Sequence, residues 1–163
     1  MDALQEFRSR TAQNLNQALG DAKDRHPHEA GESPAQYARN LVRQKDVLIV
    51  DDITMTAGLT QVMLSHHGIS SAVVYAGEDA LDWLEHQRAG VVLCDISMPG
   101  MDGIALAKHI EARWGDERPK LVAYTAYPRD HERVALIEAG FDDFIAKPVR
   151  ADTLAGVIRR WLD

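Results

Sequence analysis

Val91-Val92-Leu93-Cys94-Asp95-Ile96-Ser97-Met98-Pro99-Gly100-Met101-Asp102-Gly103 is the stretch that decides the reading of this chain. Its four apolar opening residues, rich in β-branching, have the pattern of a strand buried on both faces. A carboxylate, Asp95, follows at once. Pro99, Gly100 and Gly103 then break regular structure. An aspartate is therefore held at the carboxyl end of a core strand, above a constrained loop, where open α/β sheets place their ligand sites.

The flanking sequence repeats the same unit. Val47 to Val50 is a short apolar run ending in Asp51-Asp52. A helical stretch follows, with Leu59, Val62, Met63 and His66 on one face, closed by Gly68. Ser71 to Tyr75 reads as a second strand, and Glu78 to Ala89 as a helix ended by Gly90. After the Asp95 strand comes a helix over Ile104 to Trp114 with Ala107, Ile110 and Trp114 inward. Lys120 to Tyr124 is a fourth strand, leading into Thr125. Pro128 to Ala139 is a helix that opens on proline and closes at Gly140. Asp142 to Ala146 is the fifth strand, ending at Lys147-Pro148. The last helix runs from Val149 to Leu162, with Leu154, Val157, Ile158, Trp161 and Leu162 inward. Strict β-α alternation predicts a five-stranded parallel sheet with helices on both faces, doubly wound, in one domain over residues 43–163.

Residues 1–42 differ in character. Leu4, Phe7, Thr11, Leu15, Ala18 and Leu19 recur at helical spacing up to Gly20. Asp21 to Pro34 is polar and reads as a linker, and Pro34 suits the first turn of a short helix through Val42. This N-terminal helical extension is a candidate for homodimer formation, although its apolar stripe does not sustain a heptad pattern.

Composition narrows the function classes. The 163 residues suit one sizeable core. The net charge of −7 opposes direct nucleic-acid binding, which rests on neutralising phosphates with Lys and Arg. Cys94 is the single cysteine, so no internal disulfide forms and a cytoplasmic address is expected. Its place inside an apolar strand marks it as a buried small hydrophobe. No apolar run approaches transmembrane length, and no signal peptide is visible.

A parallel sheet brings all its carboxyl ends to one edge. Asp51, Asp52, Asp95, Thr125 and Lys147 therefore converge there. Crowded carboxylates repel unless a cation compensates them. Mg²⁺ is the natural partner, because it takes oxygen ligands and is usually held by one or two carboxylates plus a phosphate. Lys147 adds a point charge for an anion, and Thr125 a hydroxyl donor. Together they bind a metal and a phosphoryl group.

These residues, at this spacing, resemble the receiver domain of two-component response regulators, the CheY-like family with a flavodoxin-like fold. Asp52 lies 43 positions before Asp95, Thr125 lies 30 after it and Lys147 lies 52 after it. The loop from Asp95 to Gly103 and the Lys147-Pro148 step also match. The resemblance implies that Asp95 is the phosphoacceptor for a phosphohistidine. It implies that Asp51, Asp52, Asp95 and the backbone carbonyl of Ser97 hold Mg²⁺. Lys147 would pair with the phosphoryl oxygens, and Thr125 would hydrogen-bond the phosphoryl group once it arrives. The Lys147-Pro148 bond is expected to be cis. Phe144, three residues before the lysine, takes the place of the switch aromatic and is expected to turn inward on phosphorylation. Ser97 and Tyr127, two residues past Asp95 and Thr125, are expected to tune the lifetime of the acyl phosphate.

On this reading the chain is no enzyme beyond catalysing its own phosphorylation and dephosphorylation. Its partners are a histidine kinase or phosphotransfer protein and a downstream protein met through the face of the fourth helix, fifth strand and fifth helix. Two alternatives stay open. The chain could be the C-terminal receiver of a hybrid sensor histidine kinase. It could also be a haloacid-dehalogenase-type Mg²⁺-dependent phosphatase, although Asp51-Asp52-Ile53-Thr54 does not match that family's first-strand pattern.

Overall fold

The structure is a computed structural model and describes residues 44–126 and 130–163. The predicted N-terminal helix, linker and short second helix lie outside these residues, as do Tyr127 and Pro128. Lys45–Asp163 form one folded unit.

Five strands run parallel in the order β2-β1-β3-β4-β5: β1 Gln44–Val50, β2 Ser71–Val74, β3 Arg88–Cys94, β4 Lys120–Ala126 and β5 Asp143–Lys147. Between them lie α1 Thr54–His66, α2 Gly77–His86, α3 Gly103–Trp114 and α4 Asp130–Glu138, with α5 Ala151–Leu162 closing the chain. The flavodoxin-like, doubly wound sheet is thus the observed one. Its strand order reverses between β1 and β3, which opens a crevice at their carboxyl ends.

Period-two alternation sorts the strand side chains into two cores. Leu48, Val50, Val92, Cys94, Leu121 and Ala123 pack with Ala80 and Leu84 of α2, Leu106 and Ile110 of α3 and Leu136 of α4. Val47, Ile49, Val91, Leu93, Val122, Tyr124 and Ile145 pack on the other face with Ala57 and Leu64 of α1 and Leu154 and Ile158 of α5. Both cores exclude water almost completely, the condition under which apolar burial contributes about 25 cal/mol per Å².

Two local expectations need correction. In α1 the face marked by Leu59, Val62, Met63 and His66 is not the buried one. Ala57, Thr60 and Leu64 face the sheet, while Leu59 and Val62 are 61% and 53% exposed. Both ends of the helix are held by local hydrogen bonds. The Ile53 N–H donates to the Asp51 carboxylate at 2.9 Å, and the Ile69 N–H returns to the Leu64 carbonyl.

The second correction concerns Gly90, which ends no helix. α2 stops at His86, Gln87 is extended, and Arg88 to Gly90 already belong to β3. A Cβ on Gly90 would lie 2.6 Å from Leu162 Cδ2, so the glycine lets α5 approach the strand. Smaller shifts occur at other boundaries. β4 continues through Thr125 to Ala126, and β5 begins at Asp143 rather than Asp142.

Candidate functional site

Each site residue is placed by a strand that the core holds rigid. β1 ends at Val50, so Asp51 and Asp52 emerge at its carboxyl tip. The Asp51 N–H donates to the Val74 carbonyl of β2, which ties that tip down. β3 delivers Asp95, whose N–H donates to the Val50 carbonyl at 2.9 Å. The two acidic tips are therefore locked side by side by backbone bonds.

The loop after Asp95 folds back tightly. The Gly103 N–H donates to the Ile96 carbonyl, and a Cβ on Gly103 would stand 2.5 Å from the Asp95 carbonyl oxygen. Only glycine fits so close to backbone. Asp102 caps α3 by accepting from the Ala105 N–H at 2.8 Å.

Asp51, Asp52 and Asp95 each present an oxygen, and these three lie within 4.8 Å of one another. Asp51 and Asp95 are buried and Asp52 is half-buried. Lys147, at the tip of β5, reaches across. Its Nζ is 3.1 Å from Asp51 Oδ2 and 3.7 Å from Asp95 Oδ2. The Ser97 N–H donates to Asp95 Oδ1 at 3.3 Å.

Among the described residues, one ammonium faces three carboxylates and does not balance them. Burial pushes the Asp95 carboxyl above its ordinary value and Asp51 adds to the rise, while Lys147 opposes it. Asp52 Oδ1 is buried with no hydrogen-bond partner among the described residues. An orphaned carboxylate oxygen inside a cluster of three is costly unless a cation completes it. The donor set is all oxygen, which fits a hard divalent ion such as Mg²⁺.

Thr125 is half-buried at the carboxyl end of β4, in register with Ala146 and one step before the Ala126–Lys147 pair. The Lys147–Pro148 peptide is cis. Phe144 points outward at 37% exposure, with the Arg133 guanidinium 4.9 Å above its ring. Ser97 is exposed, and Tyr127 lies outside the described residues. Cys94 is buried and its thiol is pushed far up, first by burial and then by Asp95. Its S–H donates to the Asp95 carbonyl at 3.1 Å, so it acts as packing.

The sequence reading passed over Tyr124 and Thr60. Tyr124 is buried beneath Lys147, whose Nζ stands 4.7 Å from its ring centre. Thr60, a buried polar residue of α1, donates its hydroxyl to the Thr56 carbonyl at 2.9 Å. A tyrosine in the aliphatic run Leu121-Val122-Ala123 was the available signal, because a buried phenol needs a partner.

Comparison with known proteins agrees with this geometry. The family model for the response regulator receiver domain matches residues 47–159. The sensor histidine kinase GacS of Pseudomonas protegens is 32% identical over 151 residues, covering 90% of this chain but 16% of that protein. A 14.6 kDa protein of Leptolyngbya boryana is also 32% identical, covering 72% of this chain and 90% of its own length. Among solved structures, the receiver domain of the sensor histidine kinase PA1611 from Pseudomonas aeruginosa superposes with a TM-score of 0.67 at 28% identity. That match covers 74% of this chain and 98% of the PA1611 domain, whose active-site cleft coordinates a magnesium ion.

Proposed function

This chain belongs to the response regulator receiver domain family, and on that premise we propose that Asp95 accepts a phosphoryl group from a phosphohistidine of a histidine kinase or phosphotransfer protein. The family assignment replaces the haloacid-dehalogenase reading. The observation that carries the proposal is the meeting of three carboxylates and Lys147 at one sheet edge, with Asp52 Oδ1 left unpartnered among the described residues.

An Asp95 carboxylate oxygen attacks phosphorus in line, and the bond from phosphorus to the donor nitrogen breaks. The product is an acyl phosphate. Little bond chemistry is asked of the protein, so positioning and charge stabilisation carry the rate. Lys147, already beside Asp51 and Asp95, turns its ammonium to the incoming phosphoryl oxygens. Asp51, Asp52, Asp95 and the Ser97 carbonyl are the groups to hold Mg²⁺, which supplies positive charge to the phosphoryl oxygens when bound.

Switching follows from added negative charge and acceptor oxygens. The Thr125 hydroxyl moves to the phosphoryl group, and Phe144 leaves Arg133 and turns into the space vacated. Phenylalanine has no hydroxyl to anchor, so packing alone sets its bias. Val134 and Ile137 of α4, 55% and 71% exposed, support α4, β5 and α5 as the face met by a downstream protein. Identical Phe144 rotamers with and without a phosphoryl analogue would reject this switch. Tyr127→Ala is expected to shorten the acyl-phosphate lifetime in a decay assay, and an unchanged lifetime would remove Tyr127 from the account.

The direct test is incubation with acetyl phosphate and Mg²⁺, followed by intact mass. A gain of one phosphoryl group, abolished by chelating the metal, is expected. No gain with metal present rejects the proposal.

A further inference from the structure

We propose that Tyr124 is a positioning residue for Lys147: its ring face steers the ammonium across β4 to the carboxylates, which deepens the phosphoacceptor reading and rests on it. The argument begins with the sheet order. Lys147 stands on the edge strand β5, and Asp51 and Asp95 follow β1 and β3, so β4 intervenes. Strands are spaced by about 4.8 Å, so the lysine stem must cross β4 to reach them.

The residue it crosses is fixed by register. Tyr124 pairs with Ile145, and Lys147 lies two positions on, which makes it the diagonal neighbour on the same face. The outcome is the observed 4.7 Å between Nζ and the ring centre, with Nζ also 3.1 Å from Asp51 Oδ2. That separation is within the range where a ring quadrupole attracts a cation.

The ring itself is held. Tyr124 is 7% exposed and belongs to the packed cluster that holds Val122, Ile145 and Leu64. Lysine is a flexible point charge on a four-carbon stem, and a rigid aromatic platform restricts where it can go. An aliphatic residue at 124 would fill the same core but present no negative face.

The test separates ring from volume. Tyr124→Phe keeps the ring and Tyr124→Leu removes it, and the side-chain ammonium of Lys147 is followed by NMR in protein labelled at lysine nitrogen. Ammonium order is expected to hold in Tyr124→Phe and to fall in Tyr124→Leu, where phosphorylation by acetyl phosphate slows about tenfold. A purely structural role would lower the unfolding temperature of the leucine variant without moving the ammonium. Equal ammonium order in the two variants, or a phenylalanine variant as slow as the leucine one, overturns the proposal. Should Tyr124→Leu fail to fold, a phenylalanine fluorinated around its ring is placed at 124. It has nearly the same shape and a weaker ring face, and a rate equal to that of Tyr124→Phe overturns the proposal. The ammonium signal needs no phosphorylation. If wild type takes no phosphoryl group, the function reading fails while the Lys147–Tyr124 contact is still judged on its own.

Discussion

Asp95 and Asp142 stand at opposite ends of the same sheet, and burial acts on both. At the amino end, burial alone would raise Asp142, but the Arg118 fork holds its carboxyl below the ordinary range. Arg118 Nη1 and Nη2 lie 2.8 and 3.2 Å from the two Asp142 oxygens, and the Leu121 N–H donates to the same carboxylate at 2.8 Å. Glu111 pairs with the Arg118 Nε. At the carboxyl end, burial and Asp51 win over Lys147, and Asp95 is raised. One end is a finished ion network that pins α3, β4 and β5 together. Among the described residues, the other end is left short of positive charge. The Asp142 carboxylate is balanced within the protein, whereas the shortage beside Asp95 is one that a divalent cation would offset.

The comparison can be broken in several places. The largest effect is expected at Lys147. Lys147→Met leaves the strand intact and removes the phosphoryl clamp, so phosphorylation by acetyl phosphate should slow on the order of a hundredfold. A rate within a factor of about two of wild type would mean that this ammonium is not a catalytic partner. Next is the metal. At a hundredfold excess over its dissociation constant, Mg²⁺ should stabilise the domain by about 2.7 kcal/mol in chemical denaturation. The effect should vanish in Asp51→Asn, and an equal gain in that variant would place the ion elsewhere.

At the amino end, Asp142→Ala removes the fork from Arg118 and the acceptor of the Leu121 N–H, and should cost about 2 kcal/mol in stability. The phosphorylation rate of the folded variant should hold, and a large loss of rate would show the two ends to be coupled.

The smallest effect is a pH dependence of opposite sign at the two aspartates. A depressed carboxyl such as Asp142 stabilises the fold above its unfolded pKa, and that contribution is lost as pH falls through the folded value. A raised carboxyl such as Asp95 favours the fold only at low pH, and that contribution is lost as pH rises through its folded value. Asp142→Asn should therefore flatten the acid limb of metal-free stability, and Asp95→Asn should stabilise the metal-free domain near neutral pH. Denaturation curves across pH check both, and parallel shifts in the two variants would contradict the asymmetry.

The strands and the crevice are legible in sequence because β1, β3, β4 and β5 carry apolar residues up to a polar stop. Asp51, Asp52, Asp95, Thr125 and Lys147 are visible at those stops. The rotation of α1 is not. Leu59 and Val62 are as apolar as any core residue, yet Ala57 and Thr60 are the ones buried, so apolar spacing alone does not fix which face of α1 meets the sheet. Gly90 misled because a helix stop and a close packing point need the same residue. Arg118 and Asp142 are 24 positions apart and meet only through strand pairing. Tyr124 faces Lys147 only because register makes them diagonal neighbours, information that exists in the sheet and not in either strand alone.

The account is tested most directly by locating the phosphoryl group. Wild type is treated with acetyl phosphate and Mg²⁺, reduced with borohydride to convert any acyl phosphate to homoserine, and read by tandem mass spectrometry. Conversion at position 95, absent in Asp95→Ala, is predicted. Conversion at 51, 52 or any other carboxylate, or at 95 without added phosphoryl donor, contradicts it.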